Sequence, residues 1–153
     1  MLRSLLIGLV AGQRGITPLA AIATATRRGE VAADLPFQKL LLHPVIAAGT
    51  AAFAAAEMAG DKMKTAPDRI VPAGLAVRSV TAAYAGAALA PKGERAMGAA
   101  VAVGAALASS YVGWRLRMWA MRRYGQTATG FVEDAIVLGS GIAVANPRLV
   151  GAA

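Results

Sequence analysis

The chain has no cysteine, a single histidine and only 5% aromatic residues. Without cysteine there can be no disulfide, no thiolate metal site and no cysteine nucleophile, and the redox compartment stays open. One histidine, His43, cannot build a histidine-based metal cluster, so no metal and no other cofactor is expected. Acidic residues are scarce as well. Eight Asp and Glu face sixteen Lys and Arg, a net charge of +8. Charged residues make up 16% of the chain, against about a quarter in an ordinary soluble domain. Enzyme signatures are missing too: there is no Gly-rich phosphate loop, no HExxH and no GxSxG. Ser109-Ser110 has no histidine near it in sequence. The expectation is a protein that is not an enzyme.

What the chain has is apolar length. Its 153 residues include 38 Ala and 17 Gly, with a mean hydropathy of +0.54. Residues 96–114 carry no charge; residues 40–59 carry only His43 and Glu57; residues 70–90 carry only Arg78. Runs near twenty residues match a bilayer core of ~30 Å at ~1.5 Å per helical residue. A soluble bundle would have to cover several such helices on every side. The fold class expected is therefore all-α: one transmembrane domain over 1–153, an integral bundle of about five transmembrane helices. The spans fall at residues 1–26, from Pro36 or Leu40 to Gly60, Ile70 to Ala90, Ala96 to Trp114, and Thr129 to Asn146.

The first span is broken near Gly12–Gly15. Gly12, Gly15 and Pro18 weaken the helix there, and Arg14 needs a polar or protein-lined environment. The same interruption argues against a secretion signal. Gly8 and Gly12 form a GxxxG face suited to close helix packing. Arg14-Gly-Ile-Thr17 has a faint echo in Arg78-Ser-Val-Thr81, as a duplicated unit or by chance.

Basic residues sit between the apolar runs, where they meet anionic lipid. The densest stretch holds Trp114, Arg115, Arg117, Trp119, Arg122, Arg123 and Tyr124, the aromatic and arginine content of a membrane interface. It abuts an uncharged span, and no nucleic-acid motif is visible, so nucleic acid is not an expected partner. The expected partners are membrane lipids of anionic character, with a homodimer if the small bundle transports anything. Counting Lys and Arg outside five alternating spans gives eight on the amino-terminal side and six on the other. The bias favours a cytoplasmic amino terminus and an outside carboxyl terminus, in the inner membrane of a bacterial cell.

The same alternation brings charges together. Span two ends and span five begins on one side, so Glu57, Asp61 and Lys62 share a layer with Glu133 and Asp134, within reach of Arg14 and Arg78. Glu57 and Asp61 are four apart, hence on one helical face, and two carboxylates there need a cation or a proton. Glu133 follows Gly130 at capping-box spacing, so it can also be read as a helix cap. A layer of this kind can be structural or can serve an ion, a proton or a small polar solute. The first expectation is a transporter-like or channel-like protein. The alternatives are a non-catalytic scaffold or accessory subunit, and a membrane enzyme acting on lipid headgroups.

Four motifs taken together resemble a bacterial membrane family catalogued as domain of unknown function 4126. They are Gly12 to Leu19, Glu57-Met-Ala-Gly-Asp61-Lys62 with Asp68, Val71-Pro72-Ala-Gly74, and Val132-Glu133-Asp134. The resemblance covers nearly the whole chain. The family usually has Ile-Pro after its Asp-Lys; this chain has Met63-Lys64, with the proline at Pro67. The resemblance implies importance for Asp61, Lys62, Glu133 and Asp134, and adds no activity.

Overall fold

A computed structural model describes residues 1–31, 34–60 and 70–150. The described residues are helical, with no strand among them. The helices are α1 (Leu2–Gln13), α2 (Thr17–Arg27), α3 (Gln38–Leu41), α4 (Pro44–Gly60), α5 (Pro72–Leu89), α6 (Arg95–Tyr124), α7 (Gln126–Ala145) and α8 (Pro147–Val150), with a 3-10 turn at Lys92–Glu94 before α6.

Small residues fix the centre. Ser4, Gly8 and Gly12 recur every fourth position along one face of α1. They meet Gly98, Ala102 and Ala106 in the same order on α6, so the two helices run parallel at backbone contact. Helix α5 lies antiparallel to both: Gly86 packs on Gly98 and Ala102, and the Ser4 hydroxyl donates to the Gly86 carbonyl at 2.9 Å. The alanines among these residues are fully or almost fully buried, as is Ile7.

The predicted break is present, with α1 ending at Gln13 and α2 starting at Thr17, where Pro18 sits in the first turn. Its consequence differs from a kinked span. A Cβ placed on Gly141 of α7 would lie 3.4 Å from Thr17, 3.5 Å from Val10 and 3.9 Å from Ala21. In one continuous helix Val10 and Ala21 would stand about 16 Å apart. Helix α2 therefore doubles back, and α1–α2 is a hairpin inserted into the bundle.

The far end confirms the direction. Asp34, just after α2, pairs with Arg95 at the start of α6 at 2.6 Å, and Tyr84 donates to the Pro36 carbonyl at 3.1 Å. Arg3 donates to the carbonyls of Val144 and Ala145 at 3.0 and 2.7 Å, satisfying acceptors left over at the end of α7.

This corrects the alternating order. The start of α1 and the end of α7 lie at the same end of the bundle, where five alternating spans would place them at opposite ends.

A second correction concerns α6. It does not stop at Trp114 but runs unbroken to Tyr124, 30 residues and about 45 Å. Arg, Leu, Met and Ala in 115–123 are strong helix formers. Gly125, at φ 82°, is the residue that allows the reversal into α7.

Among the described residues two stretches are long and apolar enough to cross a membrane, Lys92–Tyr124 and Gln126–Ala145; Leu2–Gln13 and Pro44–Gly60 are apolar but shorter. The bundle also has an inverted exterior. Phe53, Val80, Leu116, Val132 and Ile136 are each at least 60% exposed, while Arg14, Gln38, Arg78, Ser110 and Arg117 are buried.

Candidate functional site

The tip of the α1–α2 hairpin, Gln13 to Thr17, lies beside the middle of α6. Three elements converge on it. From α7, Asp134 Oδ1 accepts from Arg14 Nε at 3.0 Å and from Arg14 Nη2. Arg14 is 1% exposed, so this is a buried pair. From α4, Glu57 reaches the backbone: Oε1 accepts the Gly15 N–H at 2.7 Å and Oε2 the Ile16 N–H at 3.0 Å. These amides lie where α2 begins, among donors the helix cannot satisfy itself, at the positive end of its dipole. From α5, Arg78 is buried against Gly15; a Cβ on Gly15 would lie 3.4 Å from both the Arg78 side chain and Glu57 Oε1.

Helix α6 anchors the underside. Ser109 Oγ donates to the Leu9 carbonyl at 2.9 Å and Ser110 Oγ to the Gly12 carbonyl at 3.0 Å. Gln13 Nε2 donates to the Ser109 carbonyl at 2.7 Å, with its amide lying over Gly113. The last turn of α1 thus has carbonyl acceptors satisfied by serine hydroxyls. Sequence reasoning weighed Ser109 and Ser110 only as nucleophiles and passed over Gln13. Their spacing on the small-residue face of α6 was the available signal. Thr17 Oγ1 is buried with no partner among the described residues.

The sequence-predicted layer is thus partly assembled. Arg14, Glu57, Arg78 and Asp134 meet at the tip. Of the partners open to Glu57, an arginine, an added cation or a proton, the described residues supply none directly; its carboxylate takes the two backbone N–H groups of the break instead. Asp61 and Lys62 fall outside the described residues. Glu133 faces the other way: its Oε2 accepts from Arg117 Nη1 at 2.9 Å. It stands well inside α7, which begins at Gln126, so it is not a cap.

The interfacial group divides as well. Arg115, Trp119, Arg122, Arg123 and Tyr124 are exposed, Trp114 is half-buried, and Arg117 is 8% exposed in its pair with Glu133. Arg117 therefore belongs to the interior, since its position turns it toward α7. Trp119 and Tyr124 meet edge to face at 6.4 Å. Between the outer halves of α6 and α7 lies a groove of about 650 Å³, walled by Val112, Leu116, Val132 and Ile136. No group of three potential metal ligands occurs among the described residues.

A second ionic cluster marks the opposite end. Asp34 lies 2.6 Å from Arg95 and 3.6 Å from Lys92. The hydrogen bond from Arg95, reinforced by the charges of Arg95 and Lys92, holds its carboxyl below the usual carboxylate range. A carboxyl lowered in the folded state stabilises fully above its unfolded value near pH ~4 and loses that contribution as pH falls through the folded value. Asp34→Asn should therefore unfold at lower temperature than the wild type at pH 7, with the two curves converging in acid. Coincident melting curves at pH 7 would show that the pair contributes nothing.

No family model, no curated protein and no solved structure matches this chain.

Proposed function

We propose that the chain is a multi-pass membrane protein of the transporter-like or channel-like kind, handling an ion, a proton or a small polar solute at the hairpin tip. One observation carries this reading: an interrupted backbone sits inside the bundle at the level of its buried charges. In a bilayer such backbone is tolerated only where protein or a water-filled cavity satisfies it. Transporters use discontinuous helices of this kind, with half-helix ends turned toward the transported species. The inverted exterior supports the membrane setting, because exposed Val, Leu and Phe are stable against lipid and costly against water. On this reading α4 to α7 cross the bilayer and α1–α2 is re-entrant, with membership of the family named above as part of the proposal.

Glu57 is the movable part in this scheme. Its carboxylate holds the start of α2 by two charge-assisted hydrogen bonds from a separate helix. Glu57→Gln keeps the shape but offers one acceptor oxygen and points a donor at a backbone donor. In proteoliposomes the wild type should show flux of some ion or polar solute above protein-free vesicles, and Glu57→Gln should lower it about tenfold, equivalent to ~1.4 kcal/mol. Folded wild-type protein giving no flux across a panel of ions and polar metabolites would reject transport.

A scaffold or accessory role is favoured by a different observation. The described carboxylates of the layer are all engaged by the protein, Glu57 by backbone, Asp134 by Arg14 and Glu133 by Arg117. In that case the layer holds the helices together and the protein acts through what binds its outside.

A further inference from the structure

We infer that the groove between the outer halves of α6 and α7 is a binding site for one anionic phospholipid, its acyl chain along the groove and its phosphate at Arg123. The inference rests on the membrane reading above. The groove runs from Ser109 to Tyr124 on α6, about 22 Å of helix. Half a hydrocarbon core is about 15 Å deep, so one leaflet's chain fits along it. Its volume of about 650 Å³ lies within the ~300–1,000 Å³ of ligand sites. Val112, Leu116, Val132 and Ile136 line it while staying more than half exposed, so it opens sideways to the surroundings.

Charge selects the occupant. Val112, Leu116 and Ala120 share one face of α6 with Tyr124, which closes the lining, and Arg123 stands beside Tyr124 at that end of the helix without lining the groove itself. Arg115 and Arg122 lie on a different face of α6, and all three arginines are exposed. None of the three makes a salt bridge among the described residues, and the two carboxylates of α7, Glu133 and Asp134, are bound to Arg117 and Arg14. The end of the groove at Tyr124 therefore has the uncompensated charge of Arg123 next to an apolar channel. A phosphodiester with a net negative headgroup complements both, whereas a zwitterionic headgroup brings its own cation to the arginines. Tyr124 lines the same end and packs on Trp119, an aromatic pair at the depth of a headgroup.

The test is native mass spectrometry of the purified full chain after delipidation, titrated with phosphatidylglycerol or phosphatidylcholine of identical chains. Phosphatidylglycerol should bind with one tight site and phosphatidylcholine about fivefold more weakly, as expected for one arginine near an anionic group. Arg123→Gln should remove that preference. Val132→Trp, which fills the groove, should reduce both lipids while leaving the melting temperature within a few degrees. Arg148→Gln, at the other end of the bundle, should change neither. Equal binding of the two lipids, or a preference untouched by Arg123→Gln and Val132→Trp, overturns the site. So does a lipid-free dimer that Val132→Trp dissociates, because a second copy would then fill the groove. Failure of the membrane reading is separate and would appear first, as protein recovered in the aqueous fraction without detergent.

Discussion

Asp134→Ala should be among the most damaging single substitutions in this chain, with a loss of about 3–5 kcal/mol in unfolding free energy. Asp134 gives Arg14 the acceptor for two of its donors, and Arg14 is 1% exposed in the middle of the bundle. Removing the carboxylate leaves a guanidinium where neither water nor lipid can replace the bonds, and that cost exceeds the net worth of the pair. The same reasoning predicts rescue. Arg14→Met with Asp134→Leu removes both charges and fills similar volume, so the double variant should recover most of the loss. Unfolding in mild detergent, followed by circular dichroism against denaturant, measures both. If the double variant is as unstable as Asp134→Ala, the loss comes from something other than an uncompensated buried charge on Arg14. If it recovers stability yet loses flux in proteoliposomes, the pair serves the proposed transport and not the fold alone.

The charges of this layer were readable because each interrupts an apolar run, where an unpartnered charge is costly. Arg14, Glu57, Arg78 and Asp134 stood out for that reason alone. The break was readable from Gly12, Gly15 and Pro18. Its geometry was not. Arg14, Gly15 and Ile16 suit a kink as well as a reversal, and what decides between them lies far away in sequence: Glu57 accepting the two amides, Asp34 reaching Arg95, and Arg3 closing the end of α7. Periodicity cannot report such contacts. The length of α6 was lost for a different reason. Trp114 and the arginines after it look like the end of a span, but an interface changes side-chain composition without ending a helix. Arg117 was misplaced with them, since only the approach of α7 distinguishes it from Arg115 or Arg122.

The small-residue ladder gives the other large effect, and it separates glycines that composition cannot. Gly8 lies on the Ala102 backbone and Gly12 on Ala106 and Ser109, so a Cβ at either would collide with α6 main chain. Gly86 and Gly98 meet each other's backbone in the same way between α5 and α6. Gly12→Ala and Gly98→Ala should each cost about 1–3 kcal/mol, the usual range for overpacking, because relief requires moving one helix off another. Leucine at Gly12 should prevent the hairpin from docking, and leucine at Gly98 should push α5 off α6. Gly104 and Gly139 have nothing within 4 Å of such a Cβ. There the change to alanine should be neutral or stabilising by up to ~1 kcal/mol, since helix propensity and unfolded-chain entropy both favour it. A denaturant series over these four variants is decisive. If all four behave alike, α1 and α5 are not packed on α6 at backbone distance. If Gly12→Ala loses stability and Ser109→Ala loses little, it is steric contact at this crossing, more than the serine hydrogen bonds, that seats the hairpin tip among Asp134, Glu57 and Arg78.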